Sequence, residues 1–515
     1  MTTSWQDRAR QKREAILAAI PPEWVIKDRP SIEEQRDVTG EYIRGFLSER
    51  EVEITETDAE KIVDKTTTGA WKAEEITRAF CHRAALAHQL LHCLHEIFFD
   101  AAIESARSLD AYFAEHGKPV GPLHGLPVSL KDQFHVKDVE TTMGYVGWIG
   151  TFEGKVGTGK EKVFESEMVR ELRNLGAVLY CKTSVPHTLM AGETTNNIIG
   201  YTLNPKNRNL TAGGSSGGEG ALIGIKGSPI GFGTDIGGSI RIPAAFNGLY
   251  GIRPTSGRFP YQGMANSMDG QNTILSVVGP LATTAGSLRL MTKAILSQQP
   301  WLHDPMVHEM PWRDSHEQGI STILNSTGSS EGGKLCFGVM PTDGIVNPSP
   351  PIRRAIDIVV KALRSHGHEV VDWNPPSHRA ILDEAFKTWD FDAGSDLKSS
   401  FALSGGADAS TSRQLRCAAK ALLRQRDIGG EPLQSSLRGP RQDQKSILPV
   451  TEVDKDIDVV DVEYTPLDER DKICHESYDP SIYDGAHVGV QLVGRRLQEE
   501  KMLAIAEYVG KIVGK

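Results

Sequence analysis

Three segments of this chain bring serine and lysine side chains together with runs of glycine. Ser215 and Ser216 lie within Gly213-Gly214-Ser215-Ser216-Gly217-Gly218, Ser239 lies within Gly233-Thr234-Asp235-Ile236-Gly237-Gly238-Ser239-Ile240-Arg241, and Lys131 follows Gly125-Leu126-Pro127-Val128-Ser129-Leu130. A serine hydroxyl is a poor nucleophile at neutral pH, so a hydrolase built on one needs an adjacent base and N–H donors aimed at the developing oxyanion. A lysine can be that base only when neutral, and at its unperturbed pKa only roughly 1 in 2,500 would be neutral at pH 7. The apolar neighbours Leu126, Pro127, Val128 and Leu130 predict that Lys131 ends a buried strand, where desolvation disfavours the ammonium form. Asp132 must then face elsewhere, as the alternation of a strand allows. Ile236-Gly237-Gly238-Ser239 carries no side chains at its two central positions, so a carbonyl could approach several N–H groups at once; this stretch is the expected oxyanion hole. Asp235 and Arg241 flank it and are expected to form an internal ion pair that holds the loop.

Glycine-serine clusters on their own are turns. Here they border apolar runs, Ala221 to Ile225 and Ser228 to Phe232, so the glycines lie where core elements end. Together the three segments resemble the signature of the amidase signature family. The resemblance implies Ser239 as nucleophile, Lys131 as base, and Ser215, 24 residues before Ser239, as the relay between them. It places a cis peptide bond between Gly214 and Ser215 and leaves Ser216 in a supporting position. It also implies a substrate contact at Leu189 on the acyl side, and no metal or organic cofactor.

The fold implied by the resemblance is α/β, one large domain whose mixed central sheet is covered by helices on both faces. Residues 1–70 are expected as an N-terminal helical extension and 71–515 as the amidase signature domain. Apolar spacing predicts helices at Trp5 to Ile20, Ala73 to Phe98, Asp100 to Glu115, Ile352 to His366 and Gln498 to Val513. Strands are predicted at Ala177 to Cys181, Leu335 to Met340 and His487 to Leu492. Residues 401–445 depart from the family: a glycine- and serine-rich stretch, a short helix from Arg413 to Asp427 and a polar run stand where a long helix and a core strand are expected. A core strand or pocket wall is therefore expected to be missing, and the segment to be disordered.

Two motifs are decoys. Gly154 to Lys160 fits G-x-x-x-x-G-K, but Glu161 stands where a phosphate-binding loop needs Ser or Thr. His92 and His95 match no zinc-helix spacing, and are expected to pack or face solvent at i and i+3 of a helix.

A formal net charge of −10 argues against a nucleic-acid partner. No stretch approaches the ~20 apolar residues of a membrane span, and the first residues lack the apolar core of a signal peptide. Six cysteines without C-x-x-C pairing fit reduced thiols and a cytoplasmic location. Lys182 to Pro186, Glu193 to Gly200, Met264 to Met268 and Val488 to Arg496 are similar to fungal acetamidases, whose N-terminal helices can contribute to a homodimer. The expected reaction is cleavage of a carboxylic amide, a short primary amide such as acetamide, to carboxylate and ammonia for nitrogen supply. The alternatives are a hydrolase of fatty acyl or secondary-metabolite amides, an amidase subunit of a tRNA-dependent assembly, or a catalytically impaired member.

Overall fold

Among the described residues, eight strands form one mixed sheet in the order β1 (Leu94–Ile97), β3 (Val178–Thr183), β2 (Pro127–Lys131), β6 (Ile230–Asp235), β8 (Val277–Ala282), β7 (Tyr250–Arg253), β11 (Gln444–Glu452) and β12 (His487–Gly494). The computed structural model describes residues 4–268, 270–326, 333–375, 377–389, 391–404 and 443–515. Two minor sheets pair β4 (Thr195–Asn196) with β5 (Gly200–Tyr201), and β9 (Cys336–Val339) with β10 (Glu369–Asp372).

The centre of the large sheet is parallel: β2 pairs with β3 on one side and β6 on the other, and every residue of the three is buried. Burial on both faces explains their apolar runs. Alternation then divides the residues between the faces. Val128 and Leu130 of β2, with Ile230 and Phe232 of β6, join the large core that includes Leu288, Met291 and Ile295 of the helix Ala285–Ser297. The intervening Ser129, Lys131, Gly231 and Gly233 face the other way, toward the helix Gly217–Gly224. Because β2 and β6 are parallel neighbours, Lys131 and Asp235 end at the same edge of the sheet, the edge where open α/β sheets carry their sites.

The helices at Trp5–Ala18, Phe99–His116, Pro350–Ser365 and Glu499–Ile512 fall where the spacing predicts them. The expectation of one helix from Ala73 to Phe98 is corrected. That helix ends at Leu91, His92 takes a left-handed conformation (φ 55°), and Leu94–Ile97 turns back as β1 on the edge of β3. Tertiary pairing has overridden local helical spacing. Consequently His92 and His95 share no helix face, and His95 is fully buried beside Thr142 at 2.7 Å.

The expectation of a missing core strand is also corrected. β11 begins at Gln444, pairs with both β7 and β12, and buries Ile447, Leu448 and Val450. At the other end of the atypical segment, Phe401 packs edge-on against Tyr145 at 5.2 Å between centroids. The rest of that expectation, a missing pocket wall, a disordered segment and a helix at Arg413 to Asp427, falls on residues 405–442, outside the described residues. The Gly154 to Lys160 stretch is a surface loop in which the Lys160 ammonium lies over the Phe152 and Phe164 rings. Among the described residues no helix is long and apolar enough to cross a membrane, and the five described cysteines are free thiols.

Candidate active site

Lys131 is wholly buried at the end of β2, its Nζ 2.7 Å from Ser215 Oγ and 2.8 Å from Thr234 Oγ1. Burial pushes it down to about 7, with the Asp235 and Glu219 carboxyls opposing that shift. Asp132 does point away. It lies 2.7 Å from Lys182 Nζ and accepts the Met143 N–H at 2.8 Å; burial would raise it, but His95 and Lys182 hold it low.

The hydrogen-bond wiring around Lys131 fixes which group donates. Gln133 Nε2 donates to Ala265 O at 2.8 Å, so its Oε1 faces Thr234 and accepts the Thr234 hydroxyl proton at 2.5 Å. With that proton committed, Thr234 Oγ1 can only accept from Lys131. A neutral Lys131 therefore spends an N–H on Thr234 and is free to aim its lone pair at the Ser215 hydroxyl. Gln133 and Thr234 are among the residues that a motif reading passes over; Gln133 stands two positions after Lys131 and Thr234 beside Asp235.

The peptide bond between Gly214 and Ser215 is cis. Gly214 lies against Ala191 and Glu193 backbone, where a Cβ would come within 2.7 Å of the Ala191 carbonyl oxygen. Ser216 N–H donates to the Ser239 carbonyl at 3.1 Å, which ties the two serine loops together. Ser215, Ser239, Ile236 and Leu189 line one cavity of about 350 Å³, with Gln133 and Thr234 in its wall. Leu189 stands there in a left-handed conformation, φ 62°.

Asp235 organises the loop that carries Ser239. Its carboxylate accepts the Gly238 N–H at 2.8 Å and the Ile240 N–H at 3.2 Å, and takes the Arg241 guanidinium in two bonds of 3.0 Å. Arg253 Nε stands 3.7 Å away. Burial would raise this carboxyl, but the Arg241 charge and its hydrogen bonds hold it far below the usual range. Arg241 also donates to Gln491 Oε1 on β12 at 2.7 Å. The expected role of Gly238 as an oxyanion donor needs revision, because its N–H is spent on Asp235. Of the stretch expected to hold an oxyanion, Ile236, Gly237 and Ser239 carry the other three N–H groups. Gly238 supplies conformation instead, at φ 137°. Trp389, which no motif marks, lies over the loop: a Cβ on Gly237 would stand 3.0 Å from its ring.

Removing the Asp235 carboxylate strands two largely buried guanidiniums, Arg241 and Arg253. Asp235→Ala is expected to destabilise the protein by about 3–5 kcal/mol in chemical denaturation, whereas an exposed acid such as Glu384 replaced the same way should change it by less than about 0.5 kcal/mol.

Comparison with known proteins gives the same answer at three levels. A model of the Amidase family matches residues 75–430. The chain is 41% identical to an acetamidase of Aspergillus oryzae over 559 aligned residues, covering 100% of this chain and 99% of that protein, and equally similar to an acetamidase of Emericella nidulans over 560. A fatty acid amide hydrolase structure superimposes with a TM-score of 0.85 at 30% identity, covering 100% of this chain and 96% of that one. A peptide amidase of Stenotrophomonas maltophilia, at 18% identity and TM-score 0.63, shares the fold. A buried lysine against a cis-linked serine, on a sheet of this topology and with these relatives, makes the chain a member of the amidase signature family.

Proposed function

We propose that the chain is an amidohydrolase working through an acyl-enzyme on Ser239. The observation that carries this is the buried Lys131 Nζ at 2.7 Å from Ser215 Oγ, beside a cavity that Ser239 also lines. Ser239 Oγ attacks the amide carbonyl carbon, its proton passes to Ser215, and the Ser215 proton passes to neutral Lys131. The N–H groups of Ile236, Gly237 and Ser239 hold the oxyanion. The protonated relay returns its proton to the leaving nitrogen as the C–N bond breaks. Water, deprotonated along the same path, releases the carboxylate. The similarity to two acetamidases supports a short primary amide such as acetamide, with ammonia as the second product. A second reading, a larger acyl amide, draws on the cavity: about 350 Å³ with Phe259, Met268, Leu275 and Val277 in its wall exceeds what a two-carbon acyl group fills. Cytoplasmic residence, a homodimer built with the N-terminal helices, and division into 1–70 and 71–515 belong to the same proposal.

The test is the intact mass of the purified protein after exposure to a fluorophosphonate. One adduct is expected on the wild type and none on Ser239→Ala; a folded wild type without adduct would refute the reading and leave a catalytically impaired member. Hydrolysis rates across amides of two to eighteen acyl carbons then separate the two substrate readings.

A further inference from the structure

The reaction as proposed leaves one buried acid beside the site without a task. Glu219 lies on the helix Gly217–Gly224, four residues beyond Ser215, and is fully buried. Ser129 Oγ donates to its Oε2 at 2.6 Å and Thr183 Oγ1 donates to its Oε1 at 2.8 Å. Ser129 stands two residues before Lys131 on β2, so both project from the same face. Space for the carboxyl is cleared by Gly231 of β6, where a Cβ would come 1.9 Å from Oε2. A carboxyl held in the core by two neutral hydroxyls is costly, and the cation whose field reaches it is Lys131.

We propose that Glu219 is a positioning residue whose carboxylate serves as the countercharge to the Lys131 ammonium formed when Ser239 gives up its proton. The inference rests on the Ser-Lys reading above. Proton and electron bookkeeping is unchanged: the proton leaves Ser239, crosses Ser215 and ends on Lys131, the Oγ–C bond forms, and Glu219 neither gains nor loses a proton. Burial pushes Glu219 up to about 7 and Lys131 down to about 7. Above that pH the two are carboxylate and free amine, the combination able to receive the serine proton. Other groups facing the pair are already matched or neutral. Asp235, which also favours the ammonium, is paired with Arg241 and Arg253. Cys93, Cys181 and Tyr180, which feel the Glu219 charge, are held neutral by burial.

The experiment measures the pH dependence of the second-order rate of Ser239 modification by a fluorophosphonate, which needs no knowledge of the substrate. Wild type is compared with Glu219→Gln, which keeps hydrogen bonding and removes charge, and thermal melting reports folding. The expected result is a downward shift of the acid limb by roughly one pH unit, with a lower plateau because the base is weaker. Ser129→Ala and Thr183→Val each strip one donor from the carboxylate and should move the limb the same way by less, which keeps the test decisive if Glu219→Gln does not fold. Folded variants whose acid limb coincides with that of the wild type would overturn the proposal, since a purely structural role changes rate or stability and leaves the midpoint in place. A wild type that does not label at all overturns the Ser-Lys reading, and this inference with it, an outcome distinct from labelling with an unmoved limb.

Discussion

Lys131→Met should lose at least roughly a thousandfold in acylation rate, as removal of a positioned general base does, while making the protein harder to unfold. The two effects share one cause. Lys131 is wholly buried, and folding depresses it from the ordinary lysine value to about 7. Below pH 7 the folded state carries the full cost of burying a group that the unfolded chain keeps protonated at no cost. Between about 7 and the ordinary lysine value the unfolded state binds more protons than the folded one, so wild-type stability rises with pH. Methionine has the length to fill the site without the charge. The variant should therefore gain a few kcal/mol at pH 7 and below, reduced by the lost contacts to Ser215 and Thr234. Its advantage should shrink as pH approaches 10. Melting curves of both proteins at pH 6 and pH 10, with burst-phase acylation rates, check the prediction. A variant less stable at pH 6 would contradict a depressed lysine.

Gly238→Ala should reduce kcat by roughly 10²–10³, the loss typical of a missing oxyanion donor, although the Gly238 N–H itself faces Asp235. The effect is conformational. At φ 137° the residue occupies backbone space that only glycine enters readily, and the new Cβ would also meet Ile242 Cδ1 at 2.9 Å. An isoleucine side-chain end can give way; the dihedral cannot. Relaxing it shifts the N–H groups of Gly237 and Ser239 to which the proposed reaction assigns the oxyanion, so the loss should fall on kcat with KM little changed. An equal rise in KM with constant kcat would instead place the loop in ground-state binding.

What the chain discloses before folding is uneven, for physical reasons. The serine loops are legible because glycine there is demanded by close approach: Gly214 lies on the Ala191 and Glu193 backbone, and Gly233 against Ser216. Helices such as Pro350–Ser365 and Glu499–Ile512 announce themselves by a one-sided apolar stripe. Strand β1 is hidden, because its identity comes from pairing with β3 some 85 positions later in the chain. β11 is hidden likewise: its polar opening Gln444-Lys445-Ser446 looks like loop until β7 and β12 close on it. Thr234, Gln133 and Glu219 are passed over since ordinary polar residues acquire meaning only from what they face. The loss of Gly238 as a donor is visible only once Asp235 is seen turning back onto its own loop.

Arg241 joins Asp235 on one side to Gln491 on the other, and Gln491 belongs to the final strand of the chain. During synthesis, residues 131, 215 and 239 all leave the ribosome long before residue 491 does. The nascent chain thus holds every group of the proposed reaction, and the Asp235–Arg241 pair that gathers the Ser239 loop, while the outer contact of Arg241 to Gln491 is still missing. The loop that carries Ser239 can therefore be gathered around Asp235 before β12 exists, and the addition of β12 to β11 supplies only the outermost contact of the ion pair.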